Sequence, residues 1–144
     1  MENKIILGFD VGTHKIGVAI GQTLLKQAKP LEKIITHQRG LADEKKILQL
    51  IKEWRPHVLI VGMPTHMDGS PQFTTQLAKD FIAFLKKLTG LPVYEADERL
   101  TTKMARSEIF EADGYQKLKK ANVDSYAAKL IVESWMNEFN IEKI

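Results

Sequence analysis

Three carboxylates in distant parts of the chain stand where they could act together. Asp10 ends the apolar run Ile5-Ile6-Leu7-Gly8-Phe9, Glu98 follows the short run Pro92-Val93-Tyr94-Glu95-Ala96, and Asp124 opens an apolar stretch beginning at Val123. An acid at the end of a β-rich run presents its charge at the rim of a core, and an acid in the first turn of a helix is favoured by the helix dipole. Three anions gathered at one rim repel one another unless a cation lies among them. The chain has no cysteine, and its four histidines (His14, His37, His57, His66) lack close metal-ligand spacing, which argues against thiolate and structural zinc sites. A hard ion held by oxygens, Mg2+ or Mn2+, suits the set and leaves positions for water and phosphate oxygens. Such a site could hydrolyse phosphodiesters, with one ion acidifying a water and another stabilising the leaving 3′ oxygen.

Basic residues near these acids fit the same chemistry. Lys15, Arg99, Lys103 and Arg106 are candidates to hold flanking phosphates, although Arg99 could equally form a salt bridge to a nearby acid. Between Arg99 and Lys120 six basic residues face three acidic ones, a bias that a solvated helix face and loop would also produce. Thr101 and Thr102 read as helix caps rather than ligands. His66 lies in a loop near the proposed rim, where an exposed histidine without a task is the plainer reading.

The elements that must position these residues follow from hydrophobic periodicity. Ile5–Phe9 and Ile16–Ile20 flank a turn containing Gly12 and predict a β-hairpin, in which Gly12 and Gly17 serve either positive φ or close backbone approach. Leu31–Thr36 reads as a third strand after a polar connection containing Pro30. Ala42–Trp54 carries Ile47, Leu50, Ile51 and Trp54 at helical spacing and stops at Arg55-Pro56. The uninterrupted apolar run Val58–Val61 predicts a strand covered on both faces. Helices are expected over Gln72–Thr89, Thr102–Ala112 and Val123–Phe139, the last with Val123, Ala127, Leu130 and Ile131 facing inward. Helical crossovers make the first, fourth and fifth strands parallel, giving a mixed five-stranded α/β sheet of order 3-2-1-4-5. Ligands gather at the carboxyl ends of parallel strands, the rim that Asp10 and Glu98 share. Those two strands are separated by one other, so their backbones are roughly 10 Å apart. Two ions about 3.5–4 Å apart bridge that gap better than one, and Gly62 leaves room above the fourth strand.

With 144 residues, 44% of them hydrophobic and 27% charged, the chain is expected to form one soluble domain, residues 1–144. No apolar run approaches the roughly 18 residues of a membrane span, and Met1-Glu2-Asn3-Lys4 shows no secretory signal, so a cytoplasmic location is expected. A formal net charge of +3 permits a polyanionic partner without demanding one.

Four motifs in order carry a resemblance. Gly8-Phe9-Asp10-Val11-Gly12-Thr13, Gly62-Met63-Pro64 with Asp68-Gly69, Asp97-Glu98-Arg99-Leu100-Thr101-Thr102, and Val123-Asp124-Ser125 with Ala127-Ala128 resemble the successive signatures of the YqgF family. Its members are RNase H-like proteins described as Holliday-junction-resolvase-like and as nucleases maturing the small-subunit ribosomal RNA precursor. The resemblance implies a three-layer RNase H-like fold with helices on both faces of the sheet. It further implies a bacterial cytoplasmic nuclease using Mg2+ or Mn2+, with Asp10, Glu98 and Asp124 as the metal-binding and catalytic set. His14-Lys15 stands where the family usually has Lys-Arg, and His66 where it has Asn, which touches substrate contacts rather than the carboxylates. Three other readings keep the same residues: a resolvase of branched DNA, which needs a dimer; an actin-like ATPase half, from the phosphate-loop look of Asp10-Val11-Gly12-Thr13; and a nucleic-acid- or protein-binding module without catalysis. The oligomeric state is left open.

Overall fold

Alternation along the first strands decides which layer each side chain joins. The computed structural model describes residues 2–36, 43–64, 74–97 and 123–138. Strands β1 (Ile5–Val11), β2 (Lys15–Gln22) and β3 (Gln27–Ile35) form an antiparallel meander. Helix α1 (Glu44–Trp54) leads to β4 (Val58–Met63), helix α2 (Thr75–Thr89) to β5 (Val93–Asp97), and helix α3 (Val123–Glu138) closes the described chain. The sheet order is β3-β2-β1-β4-β5, with β4 parallel to both β1 and β5, as the sequence implies.

One face carries Leu7, Phe9 and Val11 of β1 with Ile16, Val18 and Ile20 of β2, covered by Ile47 of α1 and by Phe81 and Leu85 of α2. Phe9 and Phe81 meet edge to face at 5.2 Å between ring centroids, the arrangement aromatic quadrupoles favour. The other face carries Ile6, Ala19, Val58, Ile60 and Ala96 under Ala128, Ile131, Val132, Trp135 and Met136 of α3. Residues 58–61 of β4 are buried against both layers, as their unbroken apolar run requires. Among the described residues no helix is long and apolar enough to cross a membrane.

Helix α1 is nucleated by Asp43, whose carboxylate accepts the Lys45 N–H at 2.9 Å. It ends where Arg55 takes the left-handed conformation (φ 48°) and donates its N–H to the Ile51 carbonyl. Asp43→Ala removes an N-cap and is expected to cost about 1 kcal/mol, read as a lower urea midpoint at unchanged slope.

The third strand begins at Gln27, four residues before the expected start, and takes Pro30 inside it. The hydrogen-bonding alternation explains why. Gly12 N–H donates to the Lys15 carbonyl, so going up β2 the N–H groups of Ile16, Val18 and Ile20 point toward β3. Pro30, opposite Ala19, therefore has its nitrogen on the open side of the edge strand, and the ladder loses no donor. The next open-side donor, Ala28 N–H, is taken by Glu133 Oε2 of α3 at 3.0 Å.

Other expectations shift by smaller amounts. Neither Gly12 nor Gly17 has positive φ, which among the described residues falls to Lys26, Arg55 and Gly90; Gly12 serves the other expected purpose, close approach, a methyl added there lying 3.0 Å from the Lys15 carbonyl oxygen. Helix α2 starts at Thr75, whose hydroxyl donates to the Pro64 carbonyl and ties the helix to the end of β4. On α3, Ala127 and Ile131 are buried as expected, the Val123 side chain lies outside the described residues and Leu130 is only half-buried, while Ala128, Val132, Trp135 and Met136 also turn inward. Polar and apolar residues are mixed around the helix, which lies across β1, β2 and β3, so sequence pattern alone does not single out its inner face. The expected helix over Thr102–Ala112 lies outside the described residues.

Candidate active site

Asp10 is the penultimate residue of β1 and shares the α3 face with Ile6 and Gly8 by alternation. It is 9% exposed, so its carboxylate sits at the rim of the core rather than in open solvent. Across the sheet at its level the side chains are small. Asp10 pairs with Gly17 on β2. On the other side the Phe9–Val61 pairing continues to set Gly62 level with Asp10, and Gly62 pairs with Ala96 of β5. A carboxylate, a residue with no side chain and a methyl group thus form one row beneath α3. Ala96 lies two strands from Asp10, roughly 10 Å away, and the row between them carries no bulky side chain of its own.

The close approach of α3 comes from two glycines on neighbouring strands. A methyl group added to Gly8 would collide with Cγ2 of Val132, and one added to Gly21 would come within 2.6 Å of Cγ1 of the same residue. Val132 therefore wedges between β1 and β2 where neither offers a side chain. The direction of α3 follows from two hydrogen bonds to strand backbone. Ser125 Oγ accepts from Val18, which is level with Phe9, and Glu133 accepts from Ala28, which is level with Gly21. The helix begins at the Asp10 end and descends toward the opposite end. Asp124 lies eight residues before Val132, roughly 12 Å along the helix axis. Asp10 lies roughly 7 Å beyond Gly8 along β1. Together with the Ser125–Val18 bond, these displacements set the backbone of α3's first turn at the Asp10 end of the sheet, against β2.

The other expected site residues stand as follows. Asp124 belongs to that first turn, but its side chain lies outside the described residues. Glu98, Arg99, Lys103 and Arg106 lie outside them entirely, as do Thr101, Thr102 and His66. Glu98 is the residue after Asp97, with which β5 ends. Lys15 opens β2 at the same end of the sheet and is exposed. Among the described residues no three histidines or acids gather into a metal cluster. Ser125, fully buried, and the glycine pair under Val132 were not singled out as contributors by sequence reasoning. A serine on the heels of Asp124 within an apolar stretch was the available signal.

A mixed sheet of order 3-2-1-4-5, with one helix crossing its first three strands and two on the opposite face, is the RNase H-like fold. The structure of T. thermophilus RuvC in complex with Holliday junction substrate shares that fold, with a TM-score of 0.54 over 92% of this chain and 93% of that one at 14% identity. Residues 4–138 match the family described as RuvX, Holliday junction resolvase, and the chain belongs to it. A Haemophilus ducreyi protein is 47% identical over 132 residues, 92% of this chain and 95% of its own length. A Legionella pneumophila (strain Paris) protein is 44% identical over 138 residues, 96% and 99% of the two chains. Both carry the name "Putative pre-16S rRNA nuclease".

Proposed function

We propose that this chain is a divalent-metal-dependent nuclease that hydrolyses phosphodiester bonds in RNA, with the pre-16S ribosomal RNA as substrate and the cytoplasm as its place of work. Residues 1–144 act in this reading as one domain. The observation that carries it is the buried carboxylate of Asp10 at the carboxyl end of β1, beside the side-chain-poor row Gly62–Ala96 and under the first turn of α3. The names of the relatives support RNA as the substrate.

The donor chemistry fits a hard divalent ion: Asp10, Glu98 and Asp124 offer oxygens only, and the chain has no thiolate to attract a softer metal. These three residues would hold one or two ions, Mg2+ or Mn2+. When bound, the metal would supply an acidified water and positive charge to stabilise the leaving oxygen. Asp10 contributes a carboxylate fixed by a central strand. Lys15, Arg99, Lys103 and Arg106 bind the phosphates on either side of the cut, contacts that fix register without reading sequence.

The family description and the RuvC fold favour one second reading, resolution of four-way DNA junctions. Labelled precursor ribosomal RNA and a labelled DNA junction, each incubated with the protein in Mn2+, in Mg2+ and in a chelator, separate the two. Cleavage of the RNA in either metal, lost in chelator, is the expected result. Cleavage of the junction with the RNA left intact moves the assignment to DNA, and cleavage that persists in chelator overturns metal dependence.

A further inference from the structure

Strand β3 contains an irregularity opposite the site. Ile16 and Val18 of β2 are two residues apart, yet their partners Ile34 and Leu31 on β3 are three apart, so β3 bulges between them. The alternation set by the Gly12–Lys15 bond aims the Val18 N–H at β3, into this bulge. There it donates to Ser125 Oγ at 3.2 Å, a buried bond joining residues 107 apart in sequence. Ser125 itself is fully buried, one residue beyond Asp124 in α3.

We propose that Ser125 is a positioning residue of the metal centre: its hydroxyl occupies the donor aimed into the β3 bulge and so fixes the first turn of α3, with Asp124, over the Asp10 end of the sheet. Three observations converge on it. The anchored segment, Gly17-Val18, is the one paired directly with Phe9 and Asp10, so the bond references α3 to the strand that carries the central carboxylate. The far half of α3 has its own fastenings, Val132 between the two glycines, Glu133 on Ala28, and buried Trp135 and Met136. Among the described side chains of the near half, the fully buried ones are Ser125, Ala127 and Ala128, all small, so hydrophobic packing locates it less firmly. A directional bond supplies what two methyl groups cannot: a fixed rotation and height for the turn.

This inference rests on the nuclease reading, and its test separates the two. Ser125→Ala, Ser125→Thr and the parent are compared by calorimetric titration with Mn2+ and by the Mn2+ concentration for half-maximal RNA cleavage, with thermal melting as a check on folding. Outer-shell partners of metal ligands typically change affinity by about 10–100-fold. Ser125→Ala is expected to weaken Mn2+ binding by about tenfold in both measurements, and Ser125→Thr, which keeps the hydroxyl, to restore it to within about threefold of the parent. Where the alanine protein does not fold, Ser125→Cys replaces it, filling the same space with a weak acceptor, and the same tenfold loss is expected. Unchanged Mn2+ affinity in a folded Ser125→Ala or Ser125→Cys protein overturns the positioning role and leaves the nuclease reading standing. A threonine variant as weak as alanine also overturns it, because space rather than the hydroxyl is then at stake. A parent protein that binds no Mn2+ sinks both.

Discussion

Asp10→Asn will remove metal-dependent cleavage of precursor RNA, with a fall on the order of 100-fold or more, while the protein keeps its fold. The substitution preserves volume and one carbonyl oxygen but removes the negative charge that, in the proposed site, would hold a hard cation. Loss even of an outer-shell group typically costs about 10–100-fold, and a direct ligand lies at or above that range. The fold survives because Asp10 stands at the strand's end, with its side chain at the rim and its backbone held by Gly17. Single-turnover cleavage at saturating Mn2+, with circular dichroism alongside, measures both halves. Wild-type rates in Asp10→Asn would falsify the assignment of the metal site to this end of the sheet.

The second large effect concerns stability. Gly8→Ala places a methyl group inside the space of Val132 Cγ2, in a layer whose neighbours are themselves buried. Overpacking of a dense core costs about 1–3 kcal/mol, and here the obstruction is a β-branched side chain with one favoured rotamer in a helix, so the upper end applies. The cost is coupled to its cause. In a Val132→Ala background the same change is expected to cost under about 1 kcal/mol, a coupling within the range that contacting residues show. Urea denaturation of the four proteins of the cycle gives that energy directly. Equal penalties in both backgrounds would show that α3 yields as a body instead of colliding at one point. Because α3's first turn adjoins the Asp10 rim, Gly8→Ala should also lower cleavage beyond its effect on the folded fraction.

The strand order was legible because each buried strand is a short apolar run bounded by turn residues, and because helical crossovers leave few topologies open. Asp10 was legible for a related reason: an acid that ends such a run has to surface at a rim. The first half of β3 was not. Gln27-Ala28-Lys29-Pro30 reads as a polar connection, yet an edge strand needs only one packed face and tolerates a proline whose nitrogen looks outward. Gly8 was equally opaque as a packing residue, since a glycine in a strand reads as a weakness until the valine lying on it, 124 positions later, is located. The inner face of α3 eluded periodicity because polar and apolar residues are mixed around the helix, so the choice of Val132 over Leu130 is made by the shape of the sheet. Ser125 belongs to a motif that resemblance could flag, but its partner, a backbone N–H at a bulge, has no signature in side-chain pattern.

The outer margin of β3 has a consequence for how the molecule behaves in a crowd. A sheet that stops at an exposed strand offers neighbouring chains a template, and long flat margins of that kind seed fibres. Here the open-side nitrogens at two successive positions are withheld, one by the proline ring of Pro30 and one by the carboxylate of Glu133 reaching down from α3. Lys29, Glu32 and Lys33 set charged side chains along the same strand. This strand is thereby a poor template on which a second copy of the chain could add its own.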